Sequence, residues 1–111
     1  MNEEELFEEI IKNIIRCNII VSLYKKATLE EVKSSVEKEL KARIRDDIFY
    51  SNLNSLCELG LIIKEDDNYT LSEKSKELYW RVKELKDEVD MKVDLLFDFA
   101  ERLSKPPEYL V

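Results

Sequence analysis

The spacing of apolar residues along the chain changes period several times, and each change marks an element boundary. Leu6, Ile10, Ile14, Ile15, Cys17, Ile19, Val21 and Leu23 recur too broadly for a single stripe. They predict one helix over 3–24, buried on more than one side. Thr28 followed three positions later by Glu31 makes a capping box, and Leu29, Val32, Val36 and Leu40 then form one face of a second helix over 29–40. Residues 41–45 connect to a third helix over 48–59, capped by Asp46 or Asp47, with Ile48, Phe49, Leu53, Leu56 and Leu59 as its apolar set. Gly60, the single glycine, stands where a helix ends in a left-handed residue. The runs 61–64 and 69–71 then read as two strands of a hairpin, joined by the acidic turn 65–68. Such a hairpin is marginal by itself and must pack on the helices.

Ser72 caps a last helix that extends to about Ser104, where Pro106 and Pro107 prevent continuation. At 1.5 Å per residue it spans about 48 Å, more than so small a domain can cover. Its apolar positions Leu78, Val82, Leu85, Val89, Val93, Leu96, Ala100 and Leu103 follow a heptad rhythm with one stutter between Val89 and Val93. All eight are the expected dimerisation seam. The organisation is therefore a domain over 1–72, a coiled-coil helix over 73–105 and a tail over 106–111. Tyr79 and Trp80 are expected to pack between that helix and the first one.

The segment Phe49 to Ile62, with its aromatic, spaced leucines and terminal Leu59-Gly60-Leu61-Ile62, resembles the recognition helix and first wing strand of PadR-like and MarR-like regulators. Tyr69-Thr70-Leu71-Ser72 resembles their second wing strand and the start of the following helix, and the likeness covers about residues 5–80. Small archaeal winged-helix proteins with a C-terminal coiled coil are similar in overall layout. The resemblance implies a mostly α (α+β) winged helix-turn-helix fold, three helices plus a two-stranded wing. It also implies a transcriptional regulator that binds double-stranded DNA as a homodimer. Two departures stand out: Ser75 replaces the usual glycine, and the wing tip Glu65-Asp66-Asp67 is acidic where a base is common.

In that arrangement the third helix enters the major groove. Its apolar set fixes the buried side, which leaves Tyr50, Ser51, Asn54 and Ser55 outward as candidate base-edge or phosphate contacts. Lys41, Arg43 and Arg45 precede the helix as candidate phosphate clamps. Lys25, Lys26 and Lys33 are weaker candidates.

Charge complicates this assignment. The chain carries 18 bases and 25 acids, a net −7, although residues 33–45 hold five bases against two acids. Phosphate neutralisation drives DNA affinity, so an acidic chain keeps a second reading open: a winged-helix protein-interaction module, scaffold or inhibitor, that does not bind DNA. With no His, no CxxC and no glycine-rich loop, neither a metal site, a cofactor nor an enzyme is expected. Two cysteines are too few for a disulfide framework, and both are expected reduced and half-buried. The acidic N-terminus and the lack of a long apolar run lead to the expectation of a soluble, cytoplasmic protein without a membrane partner.

Overall fold

A computed structural model of the chain describes the backbone of residues 1–104 and the side chains of residues 1–90. The order is α1 (Glu3–Ile10), α2 (Ile14–Ser22), β1 (Ala27–Thr28), α3 (Leu29–Leu40), α4 (Asp46–Glu58), β2 (Ile62–Glu65), β3 (Asn68–Leu71) and α5 (Glu73–Ser104). The class is α+β: mostly helical, with one small antiparallel sheet ordered β1-β3-β2.

The expected first helix is two helices. Asn13 adopts extended backbone (φ −150°, ψ 160°), and its side-chain oxygen accepts the Arg16 N–H at 2.8 Å, capping α2 afresh. A polar residue that caps well can end one helix and start another inside an apolar run. The break lets α1 bury only Leu6 and Ile10, whereas α2 buries the consecutive Cys17, Asn18, Ile19 and Ile20. The capping box of α3 forms as expected, Thr28 with Glu31. Neither Asp46 nor Asp47 caps α4: Arg45 holds the cap position without a side-chain bond, and both acids lie in the first turn. There they face the positive end of the helix dipole.

The hairpin is in place, with β2 shifted one residue onward and β3 one residue longer than expected, the two-residue connection Asp66-Asp67 and register Glu65↔Asn68 through Ile62↔Leu71. Asp66 tolerates the left-handed backbone this turn needs (φ 54°). The two-residue strand β1 adds Ala27↔Tyr69 and Thr28↔Asn68, which turns the hairpin into a three-stranded sheet. Gly60 takes φ +75°, as the end of α4 requires.

One core unites these elements. Ile10, Ile19, Ile20, Val32, Val36, Phe49, Leu53, Leu56, Leu61, Leu78 and Val82 are all fully buried. Ser75 is fully buried too, and its hydroxyl donates to the Leu61 carbonyl beneath the hairpin. Its position therefore serves to bond α5 to the segment after α4. Among the described residues no helix is long and apolar enough to cross a membrane. Cys17 and Cys57 are free; Cys17 is buried rather than half-buried, and burial pushes both thiols up.

A methyl group at Gly60 would meet no atom within 4 Å, so Gly60→Ala adds backbone strain alone. The expected loss is about 1 kcal/mol, read as a lower urea midpoint at unchanged slope.

Candidate nucleic-acid interface

α4 crosses the outer side of the molecule, and what holds it there is a polar hub the sequence reading did not find. Asn52 Oδ1 accepts from Asn13 Nδ2 at 2.8 Å and from Arg16 Nε at 3.2 Å, while Asn52 Nδ2 donates to the Ile48 carbonyl at 2.9 Å. Arg16 also donates to the Glu9 carbonyl at 2.9 Å and pairs with its carboxylate at 3.2 Å. The break after α1, the start of α2 and the middle of α4 are thereby tied at one point. Each residue is ordinary by type, and only the fold brings residues 36 to 39 positions apart together.

With Phe49, Leu53 and Leu56 buried, Asp47, Tyr50, Ser51, Asn54 and Glu58 share the exposed face of α4. Tyr50 is 42% exposed, with its ring edge-on to Phe49. Asn54 and Ser51 are exposed. Ser55 is half-buried and donates its hydroxyl to the Ser51 carbonyl at 2.9 Å, so it stands at the margin of the face. Tyr50, Ser51 and Asn54 are therefore brought together, and Ser55 less so.

The three bases before α4 differ in circumstance. Lys41 ends α3 in the left-handed conformation (φ 53°), an uncommon state for a lysine. The following connection is pinned where Ile44 N–H donates to the Glu37 carboxylate at 2.7 Å. This leaves Lys41 and Arg43 exposed, and neither makes an ion pair among the described residues. Arg45 instead closes on Asp47 through two bonds, 3.1 and 2.6 Å. Lys33 is bonded to Asp46, whose carboxylate raises the lysine pKa. α4 itself has three acids and no base. Across the hairpin, Lys26 approaches Glu65 at 3.9 Å, and Asp66 and Asp67 are exposed.

The seam on α5 divides. Leu78 and Val82 are fully buried in the chain's own core and are unavailable to a partner, because α5 must first cover α1, α2 and the sheet. Leu85 is half-buried and Val89 is 40% exposed, so the apolar line comes to the surface there. The side chains of Val93, Leu96, Ala100 and Leu103, like the tail 106–111, lie outside the described residues. Tyr79 is buried as expected, but Trp80 is 61% exposed and stands edge-on to Tyr24 at 6.1 Å. Together with Leu23, Thr70, Leu71 and Lys76 these rings line an open groove of about 340 Å³. Lys86, though buried, is paired with Glu39 at 3.2 Å and Asp90 at 2.8 Å and ties α5 to α3. Among the described residues no His, Cys, Asp and Glu gather as metal ligands.

In comparisons with known proteins, no family model and no curated relative matches this chain.

Asn52→Ala leaves the Asn13 and Arg16 donors without their acceptor and is expected to cost about 1–3 kcal/mol in urea unfolding. Lys41→Gly relieves the left-handed strain and is expected to gain about 0.5–1 kcal/mol. Unchanged stability in either variant would show that the contact or the strain carries little weight.

Proposed function

We propose that this chain is a sequence-specific, duplex-DNA-binding transcriptional regulator that acts as a homodimer. In this reading α3 and α4 form a helix-turn-helix, the β2–β3 hairpin is its wing and α5 is the dimerisation helix from Leu85 onward. The observation that carries it is the exposed Tyr50, Ser51 and Asn54 on one face of α4, with Lys41 and Arg43, which make no ion pair among the described residues, at its head. Asn and Ser are poor helix formers, so placing them on an exposed helix face costs stability that Lys or Glu would not. Asn can satisfy an adenine edge with two hydrogen bonds, and Ser can bond either base type. Two copies joined along α5 would offer two such helices to successive major grooves. Leu85 and Val89 support the joining, because an apolar line that emerges on the surface of a long helix calls for a covering partner.

A second reading is favoured by one observation: α4 carries three acids and no base. A face of that kind suits a protein partner that presents bases.

A salt titration of binding to mixed-sequence duplex, with the oligomer mass measured alongside, separates the two. The regulator is expected to be a dimer whose affinity falls steeply with salt. Replacing Lys41 and Arg43 together by Ala should flatten the log K against log salt slope by about 1.8 per protomer. Asn54→Ala should weaken binding to a duplex selected from a random pool by about 1–3 kcal/mol, with little change on mixed duplex. Absence of duplex binding at low salt would shift the assignment to the protein-interaction reading.

A further inference from the structure

The two bases closest to the exposed face of α4 are already occupied. Lys33 is bonded to Asp46, and Arg45 grips Asp47 with both Nε and Nη2. Lys41 and Arg43, a few residues away, make no such pair among the described residues. Two of the three acids of α4 thus sit beside these bases, in its first turn, where the dipole also favours them.

We propose that Asp46 and Asp47 are specificity-determining residues of this face: they withhold Lys33 and Arg45 from phosphate and so suppress sequence-independent DNA binding. The inference rests on the duplex-binding reading above. Sequence-independent affinity comes from bases that neutralise phosphates and release counterions. A base held by a carboxylate releases none until the pair opens. Arg45 and Asp47 are 76% and 64% exposed, so the pair itself is weak and opens at small cost. The displaced carboxylate, however, stays anchored in α4 and repels the incoming phosphate. A duplex bound without base contacts has nothing to offset that repulsion. A duplex whose base edges meet Tyr50, Ser51 and Asn54 does. The acids thus lower both affinities, but they remove a larger share of the non-specific one. Lys33 faces Asp46, Glu37 and Tyr50, and the Asp46 bond raises its pKa further, so it stays charged.

The test compares the full chain with Asp46→Asn/Asp47→Asn and with a charge-matched control, Glu8→Gln/Glu84→Gln. The control adds the same two charges on α1 and α5, and neither glutamate makes an ion pair among the described residues. Each is measured on a heparin column and on two duplexes of about 20 base pairs, one of random sequence and one selected by the wild type. The Asp46→Asn/Asp47→Asn protein is expected to leave heparin at higher salt than the control. It should bind random duplex about tenfold more tightly at low salt, with a slope steeper by about 1.8 per protomer, and lose selectivity between the duplexes. Equal behaviour of this variant and the control on heparin overturns the proposal, whatever the duplexes show. A shift on heparin with no duplex binding by any protein supports the ion-pair latch and overturns the duplex reading instead. Circular dichroism checks folding; if the double variant unfolds, Asp47→Asn alone carries the test, with an expected slope change of about 0.9.

Discussion

The placement of α4 depends on one carboxamide. Asn52 receives hydrogen bonds from Asn13 and Arg16, and Asn13 itself can reach it only because the chain breaks there to start α2. Were residues 3–24 one straight helix, Asn13 would point its side chain along a helix surface and have no reason to meet α4. The break therefore has two consequences. It lets α1 and α2 each turn an apolar face inward, α1 against α5 and α2 against α3, α4 and α5. It also supplies the anchor that fixes which side of α4 faces out. Apolar packing by Phe49, Leu53 and Leu56 sets the depth of the helix but slides easily along its own ridge. Directional hydrogen bonds of charged and amide groups resist that slide.

Much of this architecture was legible from pattern. Thr28 with Glu31, the four-residue spacing of Val32, Val36 and Leu40, and Gly60 after Leu59 are local signals, and local signals survive folding. What escaped was non-local or too short to have a period. A two-residue strand such as β1 exists only because β3 offers it an edge, and no sequence rhythm announces it. The division of the first helix was hidden because the apolar residues on either side of Asn13 continue in a helical rhythm. The cap at α4 was misplaced because Asp is a favoured cap, yet Asp46 and Asp47 gain more from Lys33, Arg45 and the helix dipole inside the first turn. On the candidate face, Tyr50, Ser51 and Asn54 were readable by subtraction from the buried set. The state of each base was not: whether a lysine or arginine is free or paired depends on neighbours that sequence does not order.

Ser75 illustrates how a departure from a familiar pattern can have a structural cause. Glycine at the start of such a helix permits close approach of the strand-to-helix corner. Here the corner closes through the Ser75 hydroxyl, which satisfies the Leu61 carbonyl in a place without water. A buried carbonyl left with a single partner, the Ser72 N–H at 3.0 Å, would keep one lone pair unfilled. The serine therefore trades flexibility at the corner for a bond that locks α5 against the end of α4. The start of α5 is thereby a fixed corner, set by the domain.

In the duplex-binding reading, the fixed corner bears on how an acidic chain would engage a polyanion. With net −7, long-range attraction is absent, and encounter must rely on a local field of the five bases between Lys33 and Arg45. At physiological salt the Debye length is about 8 Å, so exposed charges farther than that from this patch are largely screened, while Asp46 and Asp47, bonded to Lys33 and Arg45, are not. The relevant balance is therefore the few charges around the head of α4, where Lys33 and Arg45 are held and Lys41 and Arg43 make no ion pair among the described residues. In the duplex-binding reading proposed above, such a chain gains little from non-specific sliding and draws its affinity from fit, which requires the helix carrying Tyr50, Ser51 and Asn54 to be held in one orientation. The hub at Asn52 and the lock at Ser75 are what hold it.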